Sequence, residues 1–221
     1  MRRRIYADRY EAGRVLARRL QVLAGRDDVI VLGLPRGGVP VAAEIAAALS
    51  APLDIVLVRK LGAPRQAEVA LGAIASGGVR VLNEDIVARL GILPRQIEHI
   101  AELETRELHR RETVYRGGRP LASLAGRTVI LADDGLATGA TMRAAVVAVR
   151  AQKPAAIIVA VPVGAPETVA SIGESVDRIE CPEQPDDFLA VGEAYEEFEP
   201  TTDQEVFDLL HRERGAEPPA R

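Results

Sequence analysis

The chain has 221 residues, a formal net charge of -4, 48% hydrophobic and 27% charged residues, and 3% aromatics with no tryptophan. That length suits one α/β domain with a full core and is short for two. The negative charge excludes a broad phosphate-backbone footprint, and the scarcity of aromatics excludes a base-stacking platform, so no nucleic-acid partner is expected.

In chain order, residues 8–25 carry apolar side chains at helical spacing (Ala12, Val15, Leu16, Leu20, Leu23), with Asp8 placed to cap the start and Gly25 to close the end. "VIVLGL" (29–34) is a short continuous apolar run, the pattern of a strand buried on both faces. "VPVAAEIAAALS" reads as a helix, and "LDIVLV" (53–58) as a second buried strand. "VALGAIASGGVRVLN" (69–83) reads as a weaker strand or hairpin broken by glycines. Residues 84–115 form a polar helical insert whose longer part Pro94 can begin, with Ile97, Ile100, Leu103 and Leu108 as an incomplete apolar stripe. "RTVILAD" (127–133) is a third buried strand, followed by a helix from about Gly139 to Gln152. "AAIIVAVPV" (155–163) is a fourth strand and "DRIEC" (177–181) a fifth, at an edge. "TTDQEVFDLLHR" carries a last helix that Thr202 or Asp203 could cap, and residues 214–221 read as a frayed, solvated tail.

Strands alternating with helices imply right-handed βαβ units and a parallel sheet, with ligands beyond the carboxyl ends of the strands. Three loops fall there. In "LADDGLATGATM" (131–142), Asp133 and Asp134 end an apolar run, and Ala137, Thr138, Gly139, Ala140 and Thr141 lead bare into a helix. Free amides at a helix start bind phosphate, while the carboxylates accept from neutral hydroxyls, so a sugar phosphate fits both ends. Read alone, "DDG" is also how a strand ends in a turn. The second loop, "GLPRGGVP" (33–40), offers a close backbone approach at Gly37 and Gly38 and a guanidinium fork at Arg36; by itself it could be an ordinary turn. The third begins at "VRKLGAPRQAEVALG" (58–72), where Arg59 and Lys60 leave the second strand together; Arg65 and Glu68 follow, and could equally be incidental surface charges.

"VILADDGLATGATM" resembles the 5-phosphoribosyl-1-diphosphate (PRPP) motif of type I phosphoribosyltransferases, especially the adenine-specific version. The resemblance in order and loop placement covers roughly residues 28–200. "LPRGGVPVA" and "DDGLATGATMRAA" are also similar to a group of "predicted phosphoribosyltransferases". The resemblance implies one phosphoribosyltransferase-like α/β domain over residues 1–213, a parallel sheet flanked by helices, with a hood at about 180–200. It implies that Asp133 and Asp134 hold the ribose hydroxyls and Ala137 through Thr141 the 5-phosphate. Arg36, Gly37, Gly38, Arg59 and Lys60 would then take the pyrophosphate, in a loop that often contains an unusual cis peptide. The segment after Arg59 and Lys60 would be a mobile loop closing over the reacting centre. Arg36, Lys60, Asp133 and Asp134 would carry the catalysis, with Mg²⁺ held through substrate oxygens rather than by a protein ligand set. The implied reaction is displacement of pyrophosphate at the anomeric carbon by a nitrogen of a nucleobase-like acceptor. The acid that 6-oxopurine members place immediately before Thr-Gly is Ala137 here, which disfavours hypoxanthine and guanine and leaves adenine and orotate open.

In "ECPEQPDDFLAVGEAYEEFEP" (180–200), Phe188 is the candidate to stack on the acceptor ring, while Tyr195 and Phe198 read as packing residues of the hood. A PRPP sensor that does not turn over is the alternative function; hydrolysis or phosphoryl transfer lacks a visible nucleophile–base pair. His99, His109 and His211 read as surface residues and the single Cys181 as a buried filler. The apolar stripe of the insert makes it a candidate dimerisation arm. Without an apolar run after "MRRRIYADRY" or one long enough to span a bilayer, the chain reads as cytoplasmic, with no membrane partner.

Overall fold

The computed structural model describes residues 5–64, 66–117 and 119–212; Arg65 and the predicted tail at 214–221 lie outside them. Its strands are β1 (Val29–Gly33), β2 (Leu53–Ile55), β3 (Val58–Ala63), β4 (Gln66–Ala75), β5 (Val79–Leu82), β6 (Thr128–Ala132), β7 (Ala156–Ala160) and β8 (Arg178–Glu180). Its helices are α1 (Arg9–Arg19), α2 (Gly38–Leu49), α3 (Glu84–Leu90), α4 (Pro94–Arg116), α5 (Ala140–Ala151), α6 (Pro166–Gly173) and α7 (Asp203–Arg212). Five strands make a parallel sheet in the order β2-β1-β6-β7-β8, and β3-β4-β5 make a separate antiparallel sheet.

The parallel sheet is covered on both faces, and the period of two along β1 shows it. Val29 and Val31 join a core with α1, α2, α4 and α7, whereas Ile30 and Leu32 join the core built on α5 and α6. From β1 the chain steps outward to β2, then returns to the other side of β1 as β6 and proceeds to β7 and β8. Strand order therefore reverses between β1 and β6, which pair in register from Val29↔Thr128 to Gly33↔Ala132. The crevice at such a switch point is where open α/β sheets bind ligands. Local signals behave as their chemistry predicts. Asp8 accepts from the Glu11 amide at 2.7 Å to start α1. The helix expected over 8–25 nevertheless ends earlier, at Arg19 with Leu20 as its cap, and Gly25 (φ 72°) turns the chain only after a short 3₁₀ segment at Gln21–Leu23. Of the two candidate caps for α7, Thr202 fills the position, accepting from the Glu205 amide at 3.1 Å.

Three further sequence expectations need correction. The run 53–58 is two strands: pairing in the main sheet ends at Ile55, and Leu57 bonds both ways with buried Ser76 (3.0 and 2.9 Å), which starts the second sheet. The segment after Arg59 and Lys60 is an antiparallel hairpin, its register shifted on either side of Gly62, rather than a loop, because Leu61, Ala63 and Leu71 are buried despite Gly62 and Pro64. Helix α6 has no counterpart in the sequence reading; at eight residues it shows too little periodicity to stand out. The 69–83 hairpin does form, turning at Gly77 (φ 85°) and Gly78 (φ 76°).

The insert folds as α3 and α4. Its buried apolar side chains are Ile97, Ala101, Leu108 and Tyr115; Leu103 faces solvent. These residues join the core of the same chain, against the second sheet and α7, so the stripe does not need a partner to cover it. His99 and His109 are exposed, but His211 is half-buried, stacked on Phe207 at 4.0 Å and bonded to Arg119. No helix is long and apolar enough to cross a membrane among the described residues.

Arg116 fastens the end of α4. Its buried guanidinium donates to Asp54 on β2 (2.8 Å), to Glu112 (2.9 Å) and to the Ile55 carbonyl. Removing one partner of a buried pair leaves an uncompensated charge. Arg116→Met is therefore expected to lower unfolding free energy by about 3–5 kcal/mol, read from urea denaturation, with Asp54→Asn in the same chain recovering part of the loss.

Candidate active site

The site forms because β1 and β6 end side by side. The Leu34 amide donates to the Ala132 carbonyl at 2.9 Å, so the turn Pro35–Gly37 starts against the carboxylates that follow β6. The approach tolerates no side chain on the turn. A Cβ on Gly37 would run into the Asp134 carboxylate, and one on Gly38 would lie 2.6 Å from the Ala132 carbonyl oxygen. The Pro35–Arg36 peptide is cis, the feature that the family resemblance implies. One expectation changes: the Gly38 amide is engaged, donating to the Leu34 carbonyl at 3.0 Å, so Gly38 serves close packing rather than anion binding.

Asp133 and Asp134 are half-buried neighbours. Burial pushes the Asp133 carboxyl well above the usual carboxylate range, and the adjacent Asp134 charge adds to it. Burial also raises Asp134, opposed by Arg9. Arg9, the first residue of α1, donates from Nε to Asp134 at 2.9 Å and from Nη1 to the Glu199 carbonyl at 2.8 Å. Its guanidinium lies 3.9 Å from the centre of the Phe198 ring. Tyr195 donates to the Asp134 carbonyl at 2.6 Å and stacks on Phe198 at 5.0 Å; burial pushes its phenol up, which keeps the donor protonated. Tyr195 and Phe198 are packing residues, as the sequence suggests, but they pack onto the carboxylate pair. Phe188 is half-buried against the same aromatic cluster.

Past the carboxylates, Leu136 is pinned between Val163 and Ala165 (2.9 and 3.1 Å), and the chain swings through Ala137 and Thr138 into α5. Gly139 turns at φ 69°, and a Cβ there would sit 2.6 Å from Thr168; no other residue meets both conditions. The first helical bond runs from the Arg143 amide to the Gly139 carbonyl (2.8 Å), leaving Ala140 to Met142 ahead of the ladder. Ala137, Thr138, Ala140 and Thr141 are exposed. Thr168 of α6 donates to the Ala137 carbonyl at 2.8 Å, and Arg143 donates to that of Thr138. Two supports thus aim this loop outward.

The predicted cations are distributed differently. Arg36 is exposed and turns to Asp203 at 3.6 Å. Arg59 is held by Glu104 of α4 at 2.6 Å, and alternation along β3 sends Lys60 to the opposite face of the hairpin. The structure therefore brings together Asp133, Asp134 and the Gly37–Gly38 turn, and draws Arg59 toward the insert. Sequence reasoning missed Arg9, Thr168 and Arg143. Arg143 stands in the quoted motif region and was findable; Arg9 and Thr168 act across 125 and 31 positions and leave no local trace. Cys181 is half-buried, its thiol pushed up to about 12 by burial, as befits a filler.

The model of the phosphoribosyl transferase domain matches residues 5–197, and the chain belongs to this family. Two Mycobacterium tuberculosis proteins (strains H37Rv and CDC 1551 / Oshkosh), each named "Putative phosphoribosyl transferase", are 45% identical over 209 residues. The match covers 95% of this chain and 47% of theirs, so the chain spans about half the length of these curated relatives. The crystal structure of TT1426 from Thermus thermophilus is 42% identical and matches with a TM-score of 0.83, over 94% of this chain and 98% of its own.

A raised carboxyl has a stability consequence whose sign is fixed. The native state keeps the Asp133 proton to higher pH than the unfolded chain, so stability falls as pH climbs from the ordinary carboxylate range through the raised value. Asp133→Asn keeps an oxygen for the Asp134 amide, bonded now at 2.9 Å. It is expected to raise the melting temperature of the unliganded protein at neutral pH by roughly 2–4 °C, the shift for about 1 kcal/mol in a chain this size. The gain should vanish toward acid pH in thermal scans; an unchanged or lower neutral melting temperature would count against the raised carboxyl.

Proposed function

We propose that this family member is an active phosphoribosyltransferase, which moves the 5-phosphoribosyl group of PRPP to a nitrogen of a nucleobase or related heterocycle and releases pyrophosphate. The observation that carries the reading is the junction of β1 and β6, where the carboxylate pair, the Gly37–Gly38 turn and the outward-facing Ala137–Thr141 loop share one crevice edge. In this reading the amides and hydroxyls of Thr138–Thr141 take the 5-phosphate and the carboxylates accept from the ribose hydroxyls. Ionised Asp133 and Asp134 then face the positive charge that develops at the anomeric carbon as pyrophosphate leaves, a preorganised electrostatic stabilisation. Arg36 and Lys60 are assigned to the departing pyrophosphate, and Arg59, which Glu104 already neutralises, to a lesser share of it.

Mg²⁺ suits this donor set. The site offers only two carboxylates, one of them engaged by Arg9, and Mg²⁺ needs no protein ligand set there, since it would be held through substrate oxygens and water. When bound it would neutralise diphosphate charge. Ala137 in place of the 6-oxopurine acid directs the proposal to other acceptors, and Phe188 remains the stacking residue assigned to them. We place the protein in the cytoplasm as one unit over residues 1–213, with a homodimer as the corresponding proposal for its assembly. A PRPP sensor is the competing reading.

Two measurements test this. Pyrophosphate release from PRPP and Mg²⁺ across a panel of purine and pyrimidine bases should be base-dependent; tight PRPP binding with no release for any base would favour the sensor. Replacing Asp133 and Asp134 by Asn should weaken PRPP binding by about 10–100-fold per carboxylate, the worth of a charged hydrogen bond, while the folded content measured by circular dichroism is retained. Equal affinity in that variant would remove the ribose assignment.

A further inference from the structure

Beside the Pro35–Arg36 turn lies a cavity of about 220 Å³ lined by Pro35, Arg36, Arg110, Arg111, Tyr115 and Asp203. It is smaller than the pockets that hold drug-sized ligands, and three guanidiniums converge on it. Two of them come from α4, the insert: Arg111 lies one turn before Tyr115 on the same face, and Arg110 stands on the neighbouring face one turn before Val114, which also lines the cavity. At the centre is a carboxylate. Asp203 receives the Tyr115 hydroxyl at 2.6 Å and Arg36 at 3.6 Å on the same oxygen, Oδ1. An internal anion thus already sits where these donors converge. Burial and Asp203 push the Tyr115 phenol up to about 12, so it remains a donor. Arg110 and Arg111 share a single acid, Glu107 (2.8 Å each), and each keeps further N–H groups beyond that contact.

We propose that this cavity is a diphosphate site completed by the insert: Arg110 and Arg111 of α4 join Arg36 and the Tyr115 hydroxyl in holding phosphoryl oxygens, which displace Asp203 from Arg36. The inference rests on the assignment of Arg36 to pyrophosphate and gives the insert a task in the reaction. Guanidinium forks match phosphoryl oxygens in pairs, and the two forks of the insert beside Arg36 would add bidentate donors that Lys60, a point charge, does not supply. It also accounts for Arg36 pointing away from the carboxylates: the diphosphate would extend from the β1–β6 junction toward α4.

The test is calorimetric titration of inorganic pyrophosphate with Mg²⁺, with ribose 5-phosphate as the ligand of the Ala137–Thr141 loop. Arg110→Gln/Arg111→Gln, both on solvent-accessible helix positions, is expected to weaken pyrophosphate binding at least about tenfold and to leave ribose 5-phosphate affinity unchanged. Asp203→Asn is expected to tighten pyrophosphate alone. If the double variant binds pyrophosphate as the parent does while Arg36→Gln loses it, the insert has no part and the inference fails with the transferase reading intact. Equal weakening of both ligands would show a general field rather than a site and would also overturn it. If the parent binds neither ligand, the transferase reading falls and takes this inference with it.

Discussion

Two carboxylates held side by side in partly dry surroundings repel each other, and the rest of the structure is arranged to keep Asp133 and Asp134 there. Parallel pairing of β1 with β6 sets the position, since Gly33 lies opposite Ala132 and the two strand ends cannot separate. The cost of the buried charges shows in the raised Asp133 carboxyl. Arg9 offsets part of it on Asp134, and because it is itself nearly buried that contact is worth more than a surface ion pair. A neutral side chain in place of Asp133 would be more comfortable for the fold, whereas losing Asp134 would leave the buried Arg9 guanidinium uncompensated. Carboxyls perturbed in this way are concentrated at functional sites, and structural ion pairs perturb them too.

The second sheet and the insert answer a different constraint. Helix α4 is 23 residues long and amphipathic, and its stability depends on a surface for its apolar face. The β3-β4-β5 sheet supplies that surface, and the Arg116–Asp54 pair and α7 lock the far end. The result is a rigid wall that brings Arg110 and Arg111 to the turn after β1. A helix carried on a sheet and clamped at one end positions a guanidinium better than a loop does.

Much of this was legible in the sequence, and the boundary has a physical cause. Strands β1, β6 and β7 are five-residue apolar runs buried on both faces, which no other local structure explains as well, and the motif after β6 carries its own chemistry. What failed depends on pairing. "LDIVLV" is almost uniformly apolar, so nothing in it shows where one sheet hands the chain to another; buried Ser76, 19 residues beyond Leu57, decides that. The family resemblance implied a loop after Lys60, but cross-strand pairing of Gly62 with Ala70 and of Ala63 with Gln66 makes it a hairpin. Asp133, Asp134 and the Thr138–Thr141 loop were readable because each acts through its own backbone position. Arg9 was not, since a guanidinium at the start of a helix gains its meaning only from a carboxylate 125 residues away.

The hood and the carboxylates share their supports, which shapes how changes in one reach the other. Arg9 touches Asp134, the Glu199 carbonyl and the Phe198 ring, and Tyr195 touches the Asp134 backbone while stacking on Phe198. Val191 of the hood fills the space over Gly135, where a Cβ would lie 2.6 Å from its methyl group. The hood residues Tyr195 and Phe198 therefore belong to the set that holds Asp134 in place. A side chain exchanged at Phe198 or Tyr195 alters the field and position of Asp134 as directly as it alters the hood surface. Effects at contacting residues of this kind do not add. The hood aromatics and the contacts to Asp134 are consequently one packed unit, with Phe188 half-buried at its margin.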